Sequence, residues 1–450
     1  MQLFDTYVQK LKYKVLREVA RHAYEDTLQD CYLDIPKLIS PGPKSELRCC
    51  IYKERAIVAE RVKMAMGGDK SNPNIVEVID IACDECPVSG YRVGPDCRGC
   101  IAHRCASVCP YSAIQNHVRP CERACKVKAI SQGENHVAQI DEGKCINCGA
   151  CVYQCPFGAL QDKSFLLDAI KLIRESDHNK NFRVYAVVAP SISSQFVHVK
   201  VGQVITALKE LGFFTVIEAA LGADMVAYKE SRELAEKGFL TSSCCPAFVS
   251  YIEKSFPSLK QHISHNYSPM AELGRYIKKT DPTAKVIFIG PCTAKKAEAQ
   301  RENVKPHVDC VLTFEELQAW IDSRDLDLKS LEEGVLDNAS YFGRIFARSG
   351  GLSDSVVQAI KEQKLDLIVN PVICDGIEEC RVALLKKQKN LLKENFIEGM
   401  ACTGGCIGGA GCLTHGPKDK SEVDKYGHEA YEKTIGDALA LCRVTEQEDA

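Results

Sequence analysis

Long apolar runs are missing from this chain. No stretch reaches the roughly 18 uninterrupted apolar residues that a membrane-spanning helix requires, so a membrane partner is not expected. The first residues, Met1-Gln2-Leu3-Phe4-Asp5, lack the basic start and extended apolar segment of a secretory signal. Neither sign of charge is in excess: 57 Lys and Arg face 60 Asp and Glu, for a formal net charge of −3. That balance argues against a nucleic-acid partner, which needs a basic footprint. A cytoplasmic location is the expectation. What the chain has in quantity is cysteine, 25 in 450 residues. Disulfide frameworks belong to small secreted domains, so metal binding is the better reading here. The placement agrees: twelve cysteines lie from Cys83 to Cys155, and none from 156 to 243.

The length allows two or three domains, and the organisation along the chain separates three. Residues 1–80 read as helical and of unknown role: Leu11, Val15, Leu16, Val19 and Ala20 recur at helical spacing. A breaker cluster, Ile35-Pro36 to Pro41-Gly42-Pro43, precedes a second helical pattern from about Ser45 to Met66, which Gly67-Gly68 ends. Cys31, Cys49 and Cys50 in this region read as ordinary thiols rather than ligands. Residues 81–162 are short, Cys- and Gly-rich pieces. From 180 to 450 strand-like runs alternate with amphipathic helices, among them a helix over Val201–Leu211 and strands at Phe182–Val188, Val286–Ile289 and Leu365–Val369. The predicted fold class is α+β multidomain, an iron–sulfur segment followed by an α/β domain with largely parallel sheets.

Within 81–162 one spacing occurs twice. Cys145-x2-Cys148-x2-Cys151-x3-Cys155-Pro156 is the regular copy, and Cys97-x2-Cys100-x4-Cys105-x3-Cys109-Pro110 is looser by two residues. Three closely spaced thiolates wrap three corners of an iron–sulfur cubane, and a fourth before proline reaches the partner cluster. The expected crossed pairing is therefore Cys97, Cys100, Cys105 and Cys155 on one [4Fe–4S] cluster, with Cys145, Cys148, Cys151 and Cys109 on the other. Between the copies lies a further half-motif, Cys121-x3-Cys125, and upstream stands Cys83-x2-Cys86-Pro87. Together these four would hold a third cluster or a zinc ion, or serve as separate thiols.

Three patches stand out in the C-terminal half. Residues 241–248 read Thr-Ser-Ser-Cys-Cys-Pro-Ala-Phe, 290–298 Gly-Pro-Cys-Thr-Ala-Lys-Lys-Ala-Glu, and 398–409 Glu-Gly-Met-Ala-Cys-Thr-Gly-Gly-Cys-Ile-Gly-Gly. Cys245, Cys292, Cys402 and Cys406 thus come from distant places, each near Pro or Gly. That suits loops closing backbone around a bulky group, and four thiolates make a [4Fe–4S] site. The patches and their order resemble those of the monomeric [FeFe]-hydrogenases, joined to a ferredoxin-like segment with two [4Fe–4S] clusters.

The resemblance implies a two-lobed α/β catalytic domain and reversible oxidation of H2 or reduction of protons at an H-cluster. That cofactor is a cubane bridged by Cys406 to a diiron subsite with CO, cyanide and a dithiolate amine. It implies a ferredoxin or similar electron carrier as partner, and maturation enzymes that supply the diiron subsite. It gives roles to single positions: Cys244 as proton-relaying thiol, Lys295 as donor to a cyanide, and Met400 as thioether beside the diiron site. Ala189, Pro190 and Ser191 would contact the cofactor, while Glu230, Glu233 and Ser264 would carry protons to solvent. The two glutamates at i, i+3 share a helix face, as a relay requires. Four departures point to a less-studied branch: Phe248 for Trp, Gly290 for Met, Met270 for Gln, and Gly409-Ala410-Gly411-Cys412 for a third Gly followed by Gln-Pro. Two alternatives stay open, a non-catalytic iron–sulfur assembly factor and a low-turnover H2 sensor.

Overall fold

A computed structural model describes residues 3–46, 48–83, 119–133 and 137–441. Its N-terminal region is helical, as expected. Tyr7–Tyr24 opens on a capping box, in which Thr6 accepts from Gln9 N and Gln9 accepts from Thr6 N. Leu11, Val15, Leu16 and Val19 on its buried face enter the main core and pack against the Phe314–Ser323 helix. The second long helix is shorter than predicted, Ile51–Ala65, because Cys50 caps it by accepting from Lys53 N.

Eleven strands follow among the described residues. β1 (Val76–Val78), β2 (Ile130–Gln132), β3 (Ala138–Ile140) and β4 (Leu160–Asp162) form two antiparallel pairs, β1 with β4 and β2 with β3. β5 (Val184–Val188), β6 (Thr215–Glu218), β7 (Leu240–Thr241), β8 (Lys285–Gly290) and β9 (Cys310–Thr313) come next, and then β10 (Pro371–Asp375) and β11 (Phe396–Met400). β6-β5-β8-β9 make one all-parallel sheet and β10-β11-β7 a second. Strands such as Val184–Val188 are apolar throughout because helices cover both faces of a parallel sheet.

The strand expected at Leu365–Val369 does not form. Lys364 turns left-handed at the end of the Gly351–Gln363 helix, Leu365 N donates to Ile360 O, and Leu367 N to Leu365 O. The alternation of Leu365, Leu367 and Val369 reflects a turning segment leaning on the core, and the strand begins later, at Pro371. No helix among the described residues is long and apolar enough to cross a membrane.

A buried charge network joins the N-terminal helix to the rest. Lys12 Nζ lies 2.6 Å from both Asp162 and Glu315, and Lys296 Nζ lies 2.9 Å from Asp162 and 2.8 Å from Glu316. Burial alone would raise the Asp162 carboxyl, but Lys12 and Lys296 hold it well below its usual range.

Candidate metal centre

The C-terminal ends of strands from both parallel sheets meet at one place. β5 runs into Ala189-Pro190-Ser191, β7 into the Cys244-Cys245 doublet, β8 into Pro291-Cys292, and β11 into Ala401-Cys402. Ligand sites gather beyond the carboxyl ends of parallel strands because the helices that follow leave a crevice there. Cys245 and Cys292 each occupy the N-cap of a helix, Pro246–Ser255 and Thr293–Glu298. The loop between Cys402 and Cys406 needs its glycines: Gly404 and Gly405 have φ of 85° and 87°, where a side chain is strained. Asp375 fixes this loop, accepting from Gly404 N and from Ser349 Oγ.

Cys244, Cys245, Cys292, Cys406, Lys295 and Met400 line one cavity of about 80 Å³. Ala189, Pro190 and Ser191 complete one wall, and Ser191 Oγ is buried without a hydrogen-bond partner. Every residue predicted to contact the cofactor is therefore at this cavity except Cys402, which stands directly behind it beside Cys292, Cys245 and Cys406. Burial, and then the neighbouring thiols, push Cys292 up to about 11 and Cys406 up to about 12. Free thiols so placed resist ionisation. An iron core, whose positive charge stabilises thiolates, fits this donor set far better than empty solvent would. No three His, Cys, Asp or Glu side chains among the described residues converge tightly enough to share a single ion, which favours a multi-iron cluster over zinc.

Lys295 is buried, with Nζ 2.7 Å from Glu298 Oε2 and 3.3 Å from the Cys244 carbonyl. Burial alone would lower its pKa, but Glu298 raises it above the usual value, so the cavity contains a fixed cation. Glu298 was not singled out from sequence, although its i, i+3 spacing from Lys295 is legible. Phe346 and Ala347 also line the cavity and carry no sequence signal.

From Cys244 a row of polar groups leads outward. Burial, the dominant effect, keeps the Cys244 thiol well above its usual pKa; the nearby Cys245 and Glu230 add to it. Glu230 is fully buried and pushed up to about 8, chiefly by burial, with the Ser264 hydroxyl beside it. Ser264 Oγ lies 3.1 Å from Glu233 Oε2, and Glu233 also meets Lys237, His265 and Asn266, of which His265 is largely exposed. Glu230, Ser264 and Glu233 thus form a continuous file between Cys244 and solvent.

The iron–sulfur segment departs from the expected pairing. Cys125 is the fourth thiol beside Cys145, Cys148 and Cys151, a place the spacing had given to Cys109. Cys155 lines a small buried cavity with Cys83 and Cys121. The separate site expected from Cys83, Cys86, Cys121 and Cys125 is therefore divided. Cys86, Cys97, Cys100, Cys105 and Cys109 lie outside the described residues. Cys148 reaches toward Cys245 and Cys402, and Cys125, Cys148 and Cys402 line one cleft of about 750 Å³.

Residues 182–410, just over half of the chain, match the family described as iron only hydrogenase large subunit, C-terminal domain. The chain belongs to the iron-only hydrogenase large-subunit family. Residues 138–161 match a 4Fe-4S binding domain. This iron-only hydrogenase family member is 28% identical over 325 residues to iron hydrogenase 1 of Clostridium pasteurianum, an alignment that covers 60% of this chain and 56% of that protein. It thus spans little more than half the length of that relative. It is 26% identical over 348 residues to the probable cytosolic Fe-S cluster assembly factor oxy-4 of Caenorhabditis elegans, covering 64% of this chain and 75% of that one. The fold is shared with an [FeFe]-hydrogenase structure, HydA(deltaEFG), at a TM-score of 0.52 and 19% identity, over 62% of this chain and 93% of that one.

Two of the departures from the family pattern have visible settings in this iron-only hydrogenase family member. Met270 is buried and lines the cavity itself. Phe248 lies flat against Gly399, where an added Cβ would come within 2.3 Å of the ring.

Proposed function

We propose that the chain is a hydrogenase that catalyses reversible oxidation of H2 and reduction of protons, exchanging electrons with a ferredoxin-type carrier in the cytoplasm. The observation that carries this reading is the convergence of Cys244, Lys295 and Met400 on the same cavity as Cys245, Cys292 and Cys406, with the Glu230–Ser264–Glu233 file leading away from Cys244. An iron–sulfur protein that merely holds a cubane has no need of a buried ammonium, a protonated thiol and an outward proton file in one place.

In this reading Cys245, Cys292, Cys402 and Cys406 hold the cubane of an H-cluster, and Cys406 bridges to its diiron subsite. When bound, that group supplies the iron at which H2 is split or formed. The chain's own residues do the rest. Cys244 holds a proton on sulfur at pH 7, because burial disfavours its thiolate. Glu230, neutral below about pH 8, can accept and release that proton without placing a bare charge in the core. Ser264 passes it to Glu233, which His265 and Lys237 connect to water. Lys295 presents N–H donors to an anionic ligand in a dry, apolar wall, where a charge-assisted bond is strongest. Ser191 Oγ, unpartnered in the wall, offers a further donor.

A second reading, a non-catalytic role in iron–sulfur assembly, is favoured by the similarity to the oxy-4 assembly factor, whose identity to this chain is close to that of the clostridial hydrogenase. One measurement separates them. The full chain is matured with the accessory enzymes and its infrared spectrum recorded. CO and cyanide stretching bands together with H2 turnover support the hydrogenase; cubane incorporation without such bands sinks it in favour of assembly.

A further inference from the structure

The ferredoxin-like segment is built from one unit used twice, and the hydrogen bonds show which residues correspond. One strand, β1, ends at Val78, and Cys83 N donates to Ile79 O at 3.0 Å. The other, β3, ends at Ile140, and Cys145 N donates to Asp141 O at 2.9 Å. Each unit then reaches a one-turn helix, Pro120–Ala124 or Ala150–Gln154, that contains a cysteine and is followed by another. Cys125 Sγ accepts from Ala129 N at 3.1 Å, as Cys155 Sγ accepts from Ala159 N at 3.3 Å. Lys128 N donates to Cys125 O and Gly158 N to Cys155 O, both at 3.0 Å. Lys128 and Gly158 share a left-handed backbone, with φ of 55° and 56°.

The exits cross. The strand after Cys125, β2, pairs with β3, which leads into Cys145, and Asp141 N donates to Ala129 O at 2.7 Å. The strand after Cys155, β4, pairs with β1, which leads into Cys83, and Ile79 N donates to Ala159 O at 2.6 Å. Each unit therefore hands its last cysteine to the other. Donors also face the sulfurs: Ala138 N and Arg119 Nη1 lie 3.3 Å and 3.7 Å from Cys83 Sγ, and Asn147 N lies 3.4 Å from Cys145 Sγ. Such N–H···S contacts stabilise thiolates on iron.

We propose that the two clusters of this segment are held by Cys145, Cys148, Cys151 and Cys125 on one side, and by Cys83, Cys121 and Cys155 on the other. The missing corner of the second set corresponds in the repeat to Cys86, three residues after Cys83 as Cys148 is after Cys145. The first unit is thus a split motif: its second and third cysteines are separated by the long segment between Cys86 and Cys121, where the regular unit has two residues. Cys97, Cys100, Cys105 and Cys109 belong to that insertion and ligate neither cluster. The Cys125 cluster is the inner one, because Cys148 adjoins Cys245 and Cys402. This assignment does not depend on hydrogen activation.

The test uses the full chain, purified anaerobically without maturation enzymes and reduced with dithionite. Two adjacent reduced clusters give a magnetically split EPR signal. Cys125→Ala is expected to lose about four iron atoms per chain and the splitting, whereas Cys109→Ala keeps both. Loss of the splitting in Cys109→Ala with its retention in Cys125→Ala overturns the assignment. Because Cys125→Ala can prevent folding, Cys125→Ser is measured beside it: altered g-values of the inner cluster support the ligand, and an unaltered spectrum at full iron content rejects it.

Discussion

The Thr293 hydroxyl donates to the Asn147 carbonyl at 2.8 Å. Thr293 follows Cys292 at the start of a helix, and Asn147 stands between Cys145 and Cys148, so one hydrogen bond ties the iron–sulfur loop to the catalytic one. Gly149 makes the approach possible: a Cβ there would lie 2.5 Å from the Ala410 methyl and 2.6 Å from Thr293 Oγ1. Thr293→Val, similar in shape but without the donor, is expected to cost about 1 kcal/mol of stability and to slow electron exchange between Cys148 and the catalytic cubane. Denaturant midpoints and stopped-flow reduction check the two effects.

Glu230→Gln keeps the volume and neutrality of the buried acid but cannot release a proton. In the matured protein, H2 turnover is expected to fall on the order of 10²–10⁴-fold, with the infrared bands unchanged. Full activity in this variant would remove Glu230 from the path.

Lys296 is completely buried between Asp162 and Glu316. Lys296→Met leaves carboxylates without their partner, a loss of roughly 3–5 kcal/mol. The double variant Lys296→Met with Glu316→Gln is expected to recover part of it, and urea titrations of both test the coupling.

Asp224 is fully buried and accepts from Ser340 N and Oγ; burial, the main cause, raises it to about 8. An acid whose folded pKa lies above its unfolded value of about 4 binds its proton more tightly when folded. Its contribution is complete below the unfolded pKa and is lost as pH rises through about 8. Stability should therefore fall over that window by up to about 1.4 kcal/mol per pH unit for each such group. Glu230, raised in the same direction, adds to the slope. Asp224→Asn should remove its own share and leave the Glu230 share, which urea unfolding at pH 5 to 9 will reveal.

Much of the site was legible in the chain. Cys245, Cys292, Cys402 and Cys406 sit beside Pro and Gly because strand ends must turn there, and that punctuation survives in sequence. The parallel sheets were legible in apolar runs such as Val184–Val188 for the same reason. The cluster pairing was misread because spacing alone ranked Cys97–Cys109 as the better repeat. The true partner unit is recognisable only through backbone contacts, such as Ile79 N to Ala159 O, that no spacing encodes. The false strand at 365–369 had the right period but lay in a helix exit. Glu298, Asp375 and Phe346 act through tertiary position, and nothing local marks them.

The Lys12–Asp162–Lys296 bridge has a consequence for how the molecule comes apart. Its members lie on the first helix, on the last strand of the iron–sulfur segment and directly after the lysine of the catalytic cavity. Cutting the chain ahead of residue 180 would strand Lys296 and Glu315 in a hydrocarbon interior with half of their counter-ions gone. The electron-carrying portion is consequently not a detachable cassette: it should melt together with the catalytic lobes in a single cooperative transition.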